Sequence, residues 1–393
     1  MKILFLSHKI PYPPNKGDRI PTFHRIKHLS RKHDISLAFP CFSDEELGKR
    51  GRLEKYCSSI DTALIRPFRA RLKSLPRLFT ATPLTLPCFY SKTLHKKIKA
   101  RLKKESFDLI YVYSSSMAQY VSDVRGIKKV VDLADSDSHK WLQYAKHLRR
   151  PMSIIYYREW LTLKKYERFL AANFDHTISI SENEKKLFET YIPDLKMSVV
   201  PNGVDLEYFG SGESSVVTNG VVFVGAMDYF ANVDAVLYFC REILPLIRRQ
   251  IPDIKFYIVG SGPVTAVKKL GRDKNIIVTG PVKDVRPYLK KAGVFVAPLR
   301  IARGIQNKIL EAMASGIPVV TTPCGNEGIN AADGRSIFVA DTPLKFAQSV
   351  TALFNDEKLR KNSTFNAKKF VADSHEWGVN MDRLESVLTE VCA

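Results

Sequence analysis

The chain repeats one pattern in each half: a short, almost wholly apolar run rich in β-branched residues, a turn, then a helix. KILFLS, DISLAFP, FDLIYVYS, KKVVDLAD and HTISIS carry it first; GVVFVGAM, IKFYIVGSGP, NIIVTG, VFVAPL, IPVVTT and SIFVA carry it afterwards. Strands that lack polar alternation are buried on both faces, as in parallel sheets covered by helices. The double alternation predicts an α/β chain of two doubly wound, Rossmann-like domains. The small, polar stretch 210–219 reads as a surface connector. In such sheets ligands bind beyond the carboxyl ends of the strands. Functional residues are therefore expected after Leu6, Leu133, Val224, Val259 and Leu299, around a cleft between the two domains.

At 393 residues the length suits two domains, and six scattered cysteines without a C-x-x-C pair argue against a zinc site or a disulfide framework. No signal peptide and no membrane-spanning helix is expected, because no apolar run reaches about 18 residues. The net charge of +21 is uneven: +18 over residues 1–200 and +3 over 201–393. KTLHKKIKARLKK (Lys92 to Lys104) has Leu94, Ile98 and Leu102 on one helix face and predicts a basic amphipathic helix suited to an anionic membrane surface. Nucleic acid is the rival partner, but no motif for binding it is present.

The segment RGIQNKILEAMASGIPVVTT (Arg303 to Thr322) reads as loop, helix over Ile305 to Ser315, a stop at Gly316 and a buried strand. Lys308 and Glu311 share one helix face a turn from its N-terminus, where free N–H groups attract phosphate. A cation for phosphate beside a carboxylate for sugar hydroxyls suggests a nucleotide-sugar site; an ordinary helix with one ion pair is the alternative. The strand and turn KKVVDLADSD carry Asp132, Asp135 and Asp137. Asp135 is the first choice for a reactive or orienting role, and helix capping is the plain alternative. His8, His24 and His139 are histidines placed to line the cleft. In SENEKKLFETY, Ser181 and Glu184 read as N-cap and capping-box partner.

VVPNGVDLEYF, FVGAMDYFANVDA, IVGSGP, VTGPVKDVRPYL and RGIQNKILEAMASGIPVV, in this order, resemble the retaining glycosyltransferases of family 4 (group 1), which have the GT-B fold. GAMDY, NVDA and PLRIARGIQNKILEAMA resemble in particular the bacterial sugar transferases of exosortase and exopolysaccharide systems. The resemblance implies an acceptor-side domain over 1–205, a nucleotide-sugar domain over 206–374, and a C-terminal helix at about 375–393 completing the first. It implies a nucleoside-diphosphate-sugar donor, a hydroxyl acceptor such as a lipid-linked saccharide, and no metal or other cofactor in the catalytic step. The protein would lie in the cytoplasm, peripheral to the inner membrane face.

By the same resemblance Glu311 binds the ribose, while Arg303 stands where the family has its first motif glutamate. Lys308 and Arg303, with Arg300 as a further candidate, would replace a missing basic residue at the diphosphate. Gly304, Ile305, Gly225, Met227, Gly260, Gly262 and Val282 would line the nucleotide, with Arg286 on a helix surface or at the base edge. Gly17, Asp18 and Arg19 match the family's glycine loop on the acceptor side. Two other activities stay open from the residues: a nucleotide-sugar epimerase of the same fold, and a non-catalytic nucleotide-sugar or polyanion binder.

Overall fold

A computed structural model describes the chain except residues 15, 16, 18, 211–217 and 303; Asp18 and Arg303, both expected at the site, therefore lie outside the described residues. The chain forms two compact units, residues 1–201 with 380–393, and residues 202–379. In the first, β1 (Lys2–Ser7), β2 (Asp34–Cys41), β3 (Ser59–Leu64), β4 (Leu109–Tyr113), β5 (Lys128–Ala134), β6 (His176–Ser179) and β7 (Met197–Val199) form one sheet in the order β3-β2-β1-β4-β5-β6-β7. In the second, β8 (Thr218–Val224), β9 (Lys255–Val259), β10 (Ile276–Gly280), β11 (Ala292–Ala297), β12 (Val319–Thr321) and β13 (Phe338–Val339) take the order β10-β9-β8-β11-β12-β13. All the strand pairings are parallel.

Each sheet thus starts in its middle, winds outward one way, then returns to wind the other way. The reversal falls between β1 and β4 in the first unit and between β8 and β11 in the second. There the loops diverge and leave a crevice at the strand ends.

Burial explains the strand patterns. Leu109 to Val112 and Val294 to Ala297 are fully enclosed. The helix Asn307–Ala314 is shorter at its start than the sequence suggests, because Gly304 has φ +58° and Gln306 takes the N-cap position. Its end follows expectation. Gly316 takes φ +73°, its N–H donates to Met313 O (3.1 Å), and the Ile317 N–H reaches Ala312 O (3.3 Å), a Schellman closure.

The helix Lys92–Lys104 forms as expected, but its stripe faces inward. Leu94 and Ile98 have no exposed surface and join Leu4, Val112 and Val131 in the core, with Leu102 packed against them. Arg101 pairs with Asp61 and Glu105, and Lys99 with Asp123. The apolar face proposed for a membrane is therefore used by the domain itself.

Candidate active site

In the second unit, close approach of strand ends builds the crevice. Gly260 follows β9 with φ +149°, and a Cβ there would stand 1.8 Å from Gly225 O. Only glycine lets these two turns touch. The Gly225 N–H donates to Val259 O (2.9 Å) and the Met227 N–H to Ser261 O (2.7 Å), tying the loops after β8 and β9 together. Gly225 is also required on its other side, since a Cβ would lie 2.7 Å from Asn232 Nδ2.

Asn232 is the residue that sequence reasoning missed. It is buried on the helix Phe230–Tyr238, its Nδ2 donates to Ala226 O (2.9 Å), and its Oδ1 accepts from Lys308 Nζ. Lys308 Nζ also lies 5.0 Å from the centre of the Phe223 ring. The side chain of Lys308 is thus aimed back at the β8 turn, at the point where the winding reverses. Asn202 Nδ2 meets Asn307 Oδ1 (3.3 Å) at the start of the Lys308 helix. The available signal was the Asn in FANVDA, one turn beyond the loop that follows β8.

Burial dominates the electrostatics. It pushes the Lys308 amine down to about 8 and the Glu311 carboxyl up to about 7, each shift opposed by the charge of the other. Both groups therefore titrate near neutral pH, and a phosphate beside Lys308 would favour its charged form.

Other second-unit candidates fall differently. Met227 has no exposed surface and its N–H and C=O bond to Ser261 and Val264, so it supports the loop and offers a ligand nothing. Ile305 is likewise buried, and Gly304 packs so closely that a Cβ on Gly328 would stand 2.2 Å from Gly304 O. Gly262 (φ +66°) lies against Asp228, and Val282 is half-buried in the loop after β10. Arg300 donates from Nε and Nη2 to the two carboxylate oxygens of Asp234 and covers the Tyr238 ring, so the charge offered for a diphosphate is already paired. Arg286 forks onto Asp284 and lies 3.8 Å from the centre of the Tyr208 ring, a surface arrangement.

The reversal point of the first unit gathers a different set. Asp135 sits in the bend just after β5, half-buried. Asp137, at the start of the helix Asp137–His147, accepts from Lys140 Nζ (3.0 Å) and Ser115 Oγ (3.2 Å). Burial would raise its carboxyl, but Lys140, the nearby His8 and the Ser115 bond outweigh that and hold it below the ordinary value. His8 stacks on Tyr113 (5.8 Å). His139 contacts Ser136 Oγ and Tyr191, and His24 lies edge-on to Phe23 within the helix Arg19–Leu29.

Two buried carboxylates hold this loop from below. Glu184 accepts the Ser136 N–H (2.8 Å), and Glu167 accepts the Ser138 N–H (3.0 Å) and the Tyr191 hydroxyl (2.7 Å). Ser181 caps its helix at the Glu184 N–H as expected, while the Glu184 carboxylate reaches across to β5's loop. Burial lifts the Glu167 carboxyl to about 7. Asp132 is a structural residue: fully enclosed, it pairs with Arg25 (2.8 Å) and accepts from Tyr111. Arg19 is buried and paired with Glu46 (2.5 Å), which ties it into the fold and away from an acceptor. Gly17 is exposed, and a Cβ there would meet nothing, so no neighbour in the fold demands glycine.

A family model described as "Glycosyltransferase Family 4" matches residues 22–208, and one described as "Glycosyl transferases group 1" matches 218–356. The chain belongs to this family of GT-B glycosyltransferases and is a glycosyltransferase enzyme.

A 44.6 kDa protein in the cps region of Klebsiella pneumoniae is 23% identical, covering 95% of this chain and 96% of its own. The Escherichia coli UDP-Gal:alpha-D-GlcNAc-diphosphoundecaprenol alpha-1,3-galactosyltransferase is 27% identical, over 66% of this chain and 69% of its own. Among solved structures, sucrose-phosphate synthase of Thermosynechococcus elongatus superposes with a TM-score of 0.73 at 15% identity, covering 100% of this chain and 99% of that one. HepE of Anabaena, in complex with UDP-glucose, superposes at 0.72 with 14% identity, covering 99% and 100%. At such identities these structures share the fold with this chain.

Proposed function

We propose that this enzyme moves a sugar from a nucleoside diphosphate, with retention of anomeric configuration, to a hydroxyl of a lipid-linked saccharide in bacterial exopolysaccharide or cell-surface glycan synthesis. The observation that carries the reading is the Lys308–Asn232 link at the reversal point of the second sheet, with Glu311 one turn along the same helix. Lys308 and the N–H groups at the start of its helix stabilise the charge that grows on the departing diphosphate. Glu311 accepts the ribose hydroxyls. The departing phosphate oxygen takes the acceptor proton, so no covalent nucleophile and no metal ion are invoked.

The first unit, with Asp135 and Asp137 near its own reversal point, takes the acceptor. The E. coli relative, which is named for a diphosphoundecaprenol-linked acceptor, and the +18 charge of residues 1–200 support a lipid-linked acceptor at the cytoplasmic membrane face. The test is to incubate purified enzyme with a panel of UDP- and GDP-sugars and short-chain lipid-diphosphate saccharides. Product linkage is then read by NMR. Transfer with the donor's anomeric configuration kept is expected. Transfer with inversion would overturn retention, and turnover only with lipid-free saccharides would overturn the acceptor class.

A further inference from the structure

The chain carries no Asp or Glu from residue 62 to residue 104, while twelve Lys and Arg fall in that interval. Within it, the helix Pro67–Ser74 and the turn Leu75–Phe79 turn their large apolar side chains outward. Phe68 is 74% exposed and Phe79 93%, with Leu72 and Leu75 about half exposed. Arg66, Arg69, Arg71, Lys73 and Arg77 alternate with them.

The helix Met152–Asn173 lies alongside. Its Arg158 donates to Arg77 O, Thr80 O and Thr82 O, and its Glu159 accepts the N–H groups of Leu84 (2.7 Å) and Thr85 (2.8 Å). That lacing places a second exposed row, Ile154, Tyr157 and Leu161, beside the first, at helical spacing on one face. The acidic residues of this helix, Glu159 and Glu167, are buried, whereas Lys164 and Lys165 flank the row.

We propose that this surface, and not the helix Lys92–Lys104, docks the enzyme on an anionic phospholipid bilayer. Large apolar side chains in open water, ringed by cations with no exposed carboxylate between them, fit a headgroup layer on both counts. Phe68, Leu72, Leu75 and Phe79 enter the acyl boundary while the Arg and Lys side chains meet the phosphates. The helix Lys92–Lys104 contributes long-range attraction only, because its stripe is already inside. This deepens, and rests on, the reading that the acceptor is lipid-linked.

The experiment is co-sedimentation of full-length protein with vesicles of phosphatidylglycerol and phosphatidylcholine, against phosphatidylcholine alone, at low and high salt. The variants are Phe68→Ser with Phe79→Ser, and Lys96→Gln with Lys103→Gln. Calorimetric UDP binding runs beside them. Wild type is expected on anionic vesicles, with part of the binding surviving high salt. The phenylalanine pair is expected to lose roughly tenfold or more in partitioning and the salt-resistant fraction altogether. The lysine pair should weaken binding at low salt only and leave the salt-resistant fraction unchanged. Unchanged partitioning of the phenylalanine variant, no wild-type preference for anionic vesicles, or a concentration-dependent dimer abolished by the same variant would overturn the docking surface. UDP binding kept in every variant separates that failure from failure of the transferase reading.

Discussion

The two sheets reverse direction at the same topological place, yet one reversal point holds a half-buried lysine and glutamate on one helix, and the other holds a hydrogen-bonded carboxylate. In the second unit Lys308 and Glu311 are shifted toward neutrality by burial, and Asn232 fixes the lysine. In the first, Asp137 is kept ionised by Lys140 and Ser115, on a loop held by Glu167 and Glu184. One fold, used twice, supplies two crevices, and side chains on neighbouring helices decide what each can hold. A poised pair gains most from an incoming phosphate and ribose. A fixed carboxylate suits orienting a hydroxyl.

The sharpest way to break that contrast is to remove the lysine. Lys308→Ala should cut turnover by roughly 100- to 1000-fold, the scale of a lost charge-stabilising donor, in steady-state assays of sugar transfer. Retention of more than a tenth of the activity would place the diphosphate elsewhere.

Glycines offer the next contrast. Gly260→Ala drives a Cβ into Gly225 O and should destabilise the second unit by about 2–4 kcal/mol in urea unfolding. Gly17→Ala meets no neighbour and should leave the urea midpoint nearly unchanged. If Gly17→Ala nonetheless weakens acceptor KM, the glycine serves a ligand and not the fold.

Asp137→Asn should lower kcat by roughly 10- to 100-fold and leave the Kd for free nucleotide unchanged, since its partners all belong to the first unit. Asp135→Asn run in parallel decides between the two carboxylates. The one with the larger kcat effect at constant nucleotide Kd is the orienting residue.

The smallest effect is on stability against pH. Glu311 and Glu167 have folded values raised to about 7, above the ordinary 4.5, so the folded state holds protons that the unfolded state has released. Their contribution to stability is full below about 4.5, falls as pH rises toward 7, and is flat above. Lys308, lowered to about 8, acts oppositely: its cost is relieved as pH rises from about 8 toward 10.5. In thermal melts from pH 5 to 9 these three groups should contribute a decline toward pH 7 and a recovery above 8. Glu311→Gln and Glu167→Gln should each flatten part of the acid side, assigning one portion to each unit. His33, His176 and His375, lowered chiefly by burial, add stability as pH rises in the same window, so each variant is read against wild type; profiles unchanged in both variants would contradict both shifts.

Much of this was legible in the sequence, for a physical reason. Strands such as FDLIYVYS and VFVAPL are buried on both faces, so their apolar runs cannot be mistaken for surface. Gly316 announced a helix end because the left-handed cap suits glycine. Lys308 and Glu311 were visible because helical spacing places them together.

What stayed hidden depends on partners distant in sequence. The stripe of Lys92–Lys104 has the same pattern whether it faces lipid or core, and only the sheet it packs on, at β2 and β3, decides that it faces core. Met227 reads as a strand-end residue, but Ser261 and Val264 bond to its backbone and it is fully enclosed. Arg300 reads as a phosphate ligand until Asp234 is beside it. Asn232 is mute as one polar residue in a helix. It acquires meaning only when Lys308, 76 positions later, donates to it.

The most direct measurement is calorimetric titration of UDP, GDP and ADP into wild type and into Lys308→Ala, Glu311→Ala and Asn232→Ala, in two buffers of different ionisation enthalpy. One nucleotide should bind wild type selectively, with net proton uptake near pH 8 as phosphate pulls Lys308 into its charged form. Binding should fall at least tenfold in each variant while the fold, read by circular dichroism, persists. Equal affinity in wild type and all three folded variants would contradict the assignment of the second reversal point as the nucleotide site.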